Sequence, residues 1–189
     1  MFKKQTDNRV AVFFADGCEE IEGLTVVDLL FRAGIPCDMV SVSDSYQVTS
    51  SHEVTFLCNK LISEVDINAY AMLVLPGGIP GTPNLAATDS LMQAVDSFAA
   101  QGKPLAAICA APSIYAERGV LSGVRATANP GFQHVLVEKG ALLSKDPVVV
   151  DGPFITSQGA GTAVAFGLEV VRYFLGDAAV LRVRDGIAL

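Results

Sequence analysis

The sequence predicts one α/β domain over residues 1–189, a three-layer sandwich with a mostly parallel sheet and helices on both faces. Three observations carry this. Continuous apolar runs, such as Arg9–Ala15, Tyr70–Leu75 and Pro104–Ile108, are short and end in turns of small residues. Runs of this kind are strands buried on both faces, as in a parallel sheet. Stretches of helical period alternate with them, and no repeat, linker or composition break divides the chain.

Arg9–Ala15 is the first strand, closed by Asp16-Gly17. Glu19–Ala33 reads as a helix, because Ile21, Leu24, Val27 and Leu30 recur near its period. Gly34 stops it and Pro36 follows. Cys37–Val42 is a second strand, so the first 42 residues make a βαβ unit. Tyr46–Thr49 and Val54–Leu57 flank Ser50–Glu53 and predict a short antiparallel excursion. Tyr70–Leu75 is the next strand, and a Gly/Pro-rich loop runs from Pro76 to Thr88. Asp89–Gln101 predicts a helix capped by Thr88 or Asp89. Pro104–Ile108 is a strand, Ala111–Arg118 a short helix and Val124–Ala128 a further strand. Val148–Val150 and Phe154–Thr156 form a hairpin around Asp151-Gly152. After the turn Gln158–Gly161 come a long apolar helix, Thr162–Leu175, and a short one, Asp177–Arg184.

Composition bounds the function. At 51% hydrophobic and 17% charged, the chain buries a large core and is not intrinsically disordered. A net charge of −7 repels a phosphate backbone and argues against nucleic-acid binding. The mean hydropathy of +0.43 raises the question of a membrane. Yet the longest apolar runs, Leu73–Pro76 and Leu105–Pro112, fall far short of the roughly 20 residues of a spanning helix. The polar start Met1–Asn8 does not read as a secretory signal. The expectation is a cytoplasmic protein whose apolar residues lie in buried strands, packed helices or a subunit interface. Cys18, Cys37, Cys58 and Cys109 contain no C-x-x-C pair, so no metal site is implied and free thiols are expected.

Chemistry concentrates at a few residues. In Leu105-Ala-Ala-Ile-Cys109-Ala-Ala-Pro112 a buried strand runs into a nucleophilic side chain and a helix starts at once. A sharp strand-to-helix turn needs small neighbours, and Ala107 and Ala111 stand where G-x-S-x-G has glycines. At a helix N-terminus the thiol pKa would fall below its usual value of about 8.5. A buried structural cysteine fits the same pattern. Gly77 and Gly78 end another strand, where backbone amides can approach an oxyanion, although a plain turn reads the same way. Glu19, Glu20 and Glu22 suit a helix first turn by charge alone. Glu22 differs, because Thr25, Val26 and Leu29 share its face. A carboxyl turned inward there would have a raised pKa and could share a proton with a thiolate. His52 and His134 sit where no spacing fixes a distance to Cys109, and exposed histidines account for both.

Together these residues resemble the ThiJ/PfpI superfamily, in the branch of the parkinsonism-associated deglycase. The similarity runs through Ala15–Glu22, Phe31-Arg-Ala-Gly34, Leu75-Pro-Gly-Gly78, Ala107–Pro112 and Ile155–Thr162. It implies a flavodoxin-like fold, a homodimer and no cofactor. It makes Cys109 the reactive cysteine, Glu22 its protonated partner, and amides near Gly77, Gly78 and Ala110 the anion pocket. The activities implied are a glyoxalase or deglycase reaction on a small aldehyde or 2-oxoaldehyde such as methylglyoxal. Alternatives are peroxide sensing through a Cys109 sulfinic acid and a degenerate binding protein. The family label also carries a thiamine and thiazole link that these residues do not show as chemistry. Asn129 stands where many members carry a histidine, and an amide is no general base near pH 7. Asn129, His134 and Arg32 are the auxiliary candidates.

Overall fold

The computed structural model describes residues 2–189. In chain order its elements are β1 (Val10–Phe14), α1 (Glu20–Ala33), β2 (Cys37–Ser41), β3 (Gln47–Thr49), β4 (Thr55–Leu57), β5 (Lys60–Leu61) and β6 (Met72–Leu75). Then come α2 (Gly81–Ala86), α3 (Asp89–Gln101), β7 (Leu105–Ile108), α4 (Pro112–Glu117), β8 (Arg125–Ala126) and α5 (Gln133–Glu138). The chain ends with β9 (Leu142–Leu143), β10 (Val148–Asp151), β11 (Phe154–Ser157) and α6 (Ala163–Gly186). The main sheet has seven strands in the order β10-β11-β7-β6-β1-β2-β5. Every pairing is parallel except β10 with β11.

The apolar runs form these strands because both faces of the sheet are covered. Alternate residues point to opposite sides. Ala11, Phe13, Leu73, Leu75, Leu105 and Ala107 pack with Leu91, Val95 and Phe98 of α3 and with the residues of α4 and α5. Val10, Val12, Phe14, Met72, Val74, Ala106 and Ile108 pack with α1 and α6. The two clusters are the two interfaces of an α/β/α sandwich, the flavodoxin-like architecture expected. Gly167 lets α6 lie against α1, since a Cβ there would stand 2.5 Å from Leu29 Cδ1. Among the described residues no helix is long and apolar enough to cross a membrane.

Several boundaries follow the local signals. Gly34 takes φ 80° and closes α1. β3 and β4 pair antiparallel outside the main sheet. Thr88 occupies the N-cap of α3, but its hydroxyl donates to the Asn84 carbonyl instead of capping. The two helices expected at the C-terminus are both present and run together as α6 across a kink at Gly176, where φ 71° and ψ −176° are non-helical. The strand expected at Val124–Ala128 shrinks to two residues, which pair with β9 in a sheet of their own. α2, α5, β5 and β9 carry no clear sequence signal, because two to six residues are too few to show a period.

Candidate active site

The parallel strands β1, β6, β7 and β11 end on one side of the sheet, and the site is built from the turns that leave them. Cys109 follows β7 with φ 65°, one of three described non-glycine residues at positive φ. Such a conformation costs about 1–3 kcal/mol and persists only where the surroundings fix it. They do so here. The Cys109 N–H donates to the Ser157 carbonyl at 2.9 Å, and its own carbonyl accepts from the Asn129 N–H at 2.8 Å. Ala110 and Ala111 are buried beside it, which explains the small side chains of the turn.

Glu22 projects from the first turn of α1 and is 1% exposed. The Gly77 N–H donates to its Oε2 at 2.8 Å, while Oε1 is buried without a partner. Gly77 has no room for a side chain. A Cβ there would stand 2.6 Å from the Cys109 Cβ, 2.9 Å from Glu22 Oε2 and 3.0 Å from the Ala110 nitrogen. Residues of β6, α1 and β7 therefore converge on one point. Around Gly159, just after β11, the picture is more open. A Cβ there would lie 3.5 Å from Asn129 Nδ2, 3.8 Å from Glu22 Oε1 and 3.9 Å from Cys109 Sγ. Those three polar atoms thus face one small space. The turn that shapes it is stapled by Thr162. The Gly159 N–H donates to Thr162 Oγ1 at 3.1 Å, and that hydroxyl donates to the Gly159 carbonyl at 2.8 Å.

Burial pushes the Glu22 carboxyl up to about 7, reinforced by the charge of Glu19 and opposed by the Gly77 amide and the Cys109 thiol. Burial also pushes the Cys109 thiol up to about 12, and the Glu22 charge adds to this. The amides of Ala110 and Gly78 oppose it, as expected of an anion pocket. The expectation of a helix-lowered thiol therefore needs correction. The six-residue α4 begins only at Pro112, and burial, with the Glu22 charge added to it, raises the thiol. The two groups behave as a pair that gives up its first proton near neutrality and holds the second. When Glu22 carries the proton its repulsion of sulfur vanishes.

The auxiliary candidates separate. Asn129 joins the group. His134 is exposed in α5. Arg32 lies ten residues beyond Glu22, about 15 Å along α1. It is bound to Asp28 Oδ2 at 2.6 Å and to the Gly186 carbonyl at 3.3 Å. It belongs to the far end of the helix, because the motif Phe31–Gly34 is a helix terminus. His52 Nδ1 meets Glu20 Oε2 at 3.1 Å and Glu19 Oε2 at 3.6 Å, an ion-paired cluster of groups that could also ligate a cation. The other three cysteines are free, with Cys18 and Cys58 buried and Cys37 partly covered. A 590 Å³ groove between α1 and the end of α6 and a 260 Å³ cleft beside Cys37 both lie away from Cys109. Sequence reasoning noticed Gln158–Gly161 as a turn and as part of the Ile155–Thr162 resemblance, but not as part of the site. Gly159, two residues after β11, was the signal that it belongs to the site.

The DJ-1/PfpI family pattern matches residues 8–173. Protein DJ-1 homolog B of Arabidopsis thaliana is 35% identical over 169 residues, 89% of this chain but only 38% of that protein. The glutathione-independent glyoxalase DJ-1 of Schizosaccharomyces pombe is 31% identical over 170 residues, covering 86% of this chain and 89% of the other. The crystal structure of Drosophila melanogaster DJ-1beta superposes with a TM-score of 0.92 at 32% identity, over 97% of this chain and 99% of that one. With the family pattern matching most of its length and a fold that superposes on a DJ-1 structure, this chain belongs to the DJ-1/PfpI family.

Proposed function

We propose that this protein is a cofactor-free enzyme of reactive carbonyl metabolism, converting 2-oxoaldehydes such as methylglyoxal to 2-hydroxy acids. One observation carries the reading: Cys109 Sγ, the unpartnered Glu22 Oε1 and Asn129 Nδ2 face one space. The glyoxalase name of the Schizosaccharomyces pombe relative supports it.

The steps balance without an external oxidant. The Cys109 thiol loses its proton to Glu22, and sulfur adds to the aldehyde carbon. The developing oxyanion is steadied by the amides of Gly78 and Ala110 and then takes up that proton, giving a hemithioacetal. The Glu22 carboxylate next removes the hydrogen from that carbon as a proton and delivers it to the neighbouring keto oxygen, giving an enediol. Glu22 then moves the proton of the hydroxyl on the sulfur-bearing carbon to the former keto carbon, and that oxygen becomes the carbonyl of a thioester of the 2-hydroxy acid. Water cleaves the thioester to lactate and restores the thiol. A carboxyl poised near pH 7 suits both directions of transfer. Lactate formation from methylglyoxal should vanish in Cys109→Ala and fall at least about 100-fold in Glu22→Ala. Equal rates in wild type and both variants would overturn the assignment.

A second reading is favoured by the same buried Oε1. Peroxide can oxidise the thiol in two steps, each consuming one H2O2 and releasing one water, to a sulfinic acid. Protonated Glu22 would then donate to a sulfinate oxygen. A gain of two oxygens confined to the Cys109 peptide supports sensing. Random oxidation across all four cysteines refutes it.

A further inference from the structure

The carbonyl chemistry proposed above leaves open what holds the second oxygen of the substrate. Asn129 is anchored to the nucleophile turn through its N–H bond to the Cys109 carbonyl. Its Oδ1 accepts from the Gly131 N–H at 3.1 Å. That N–H can only donate, so the side-chain atom facing it must be the oxygen. The other end of the amide, Nδ2, is thereby fixed toward Cys109 and Glu22. It donates to no protein atom among the described residues. The missing side chain of Gly159 leaves the space between these three groups open.

Resting on that reading, we infer that Asn129 Nδ2 holds the keto oxygen of a 2-oxoaldehyde, so that the site selects 2-oxoaldehydes over simple aldehydes. The substrate has two adjacent carbonyl oxygens with different needs. The aldehyde oxygen becomes negative when sulfur adds, and it falls to the amides of Gly78 and Ala110. The keto oxygen is still neutral at that step, and a neutral amide donor matches it. An amide takes up no proton near neutrality, so proton transfer stays with Glu22. Acetaldehyde reacts at the same sulfur but offers Asn129 nothing.

Reversible addition of an aldehyde shields Cys109 from alkylation by iodoacetamide. The aldehyde concentration that halves the initial alkylation rate of the Cys109 peptide therefore measures occupancy of the sulfur independently of lactate formation. For Asn129→Ser this concentration should rise about five- to tenfold with methylglyoxal, the loss of one neutral hydrogen bond, and stay unchanged with acetaldehyde. Serine can still accept the Gly131 N–H, so the loop is kept. Asn129→Asp also keeps that bond while replacing the donor, and relative to acetaldehyde it should lose at least as much. Equal shifts for both aldehydes, no shift for methylglyoxal, or no protection of the wild type by methylglyoxal overturns the inference. Protection of the wild type with an Asn129-dependent shift but no lactate supports the donor role and refutes the enzymatic reading instead.

Discussion

Glu22 is a carboxyl that the fold keeps from ionising. Burial first, then the neighbouring Glu19, raise it from 4.5 to about 7. The folded chain therefore binds this proton more tightly than the unfolded chain does. The stability it contributes is complete below about pH 4.5 and drains away as pH rises through 7. A shift of that size is worth at most about 3 kcal/mol. Glu22→Gln retains an oxygen for the Gly77 N–H and removes the charge. The variant should melt several degrees above the wild type at pH 8, with the difference closing near pH 4.5; identical melting at pH 8 would refute the origin assigned to the shift. The sequence placed Glu22 on an inward face through Thr25, Val26 and Leu29. It did not reveal that Gly77, 55 residues away, supplies its hydrogen bond.

At the scale of elements, turns set the chemistry more than strands or helices do. β7 and α4 are ordinary buried pieces, and the reactive residue sits in the strained step between them. The alanines around Cys109 made that step legible, because a strained turn leaves no room for larger neighbours. The thiol's electrostatics were not legible, since they come from α1 and β6. The bend of α6 shows how one residue governs an element. Gly176 adopts φ 71° and ψ −176°, a combination open almost only to glycine. Gly176→Ala should cost about 1–3 kcal/mol in chemical denaturation while leaving the Cys109 alkylation rate unchanged. A variant as stable as the wild type would show that the bend is not imposed there.

At the scale of the whole molecule, the acidic, apolar chain resolves into two buried layer interfaces. Some apolar surface is left over. Ile21 and Phe31 of α1 are 52% and 53% exposed, and Leu57 of the β3–β4 hairpin is 69% exposed. Side chains of this kind are commonly covered by another subunit. A homodimer is therefore expected, and native mass spectrometry at micromolar concentration should show a mass twice that of the chain. A monomer alone would count against it.

The sequence by itself determined the layered α/β class, the principal strands and the three long helices. Burial on both faces and helical period are local patterns that survive in a linear string. It also singled out Cys109 by its small neighbours in a tight turn, Glu22 by its inward face and the glycines after β6 by their place at a strand end. Only the tertiary structure decided what those residues are to one another. The raised thiol, the unpartnered Oε1, the distant place of Arg32 and the inward amide of Asn129 all depend on which turns meet at the ends of the strands. Those meetings join residues tens of positions apart, through hydrogen bonds and charges that leave no period in the sequence.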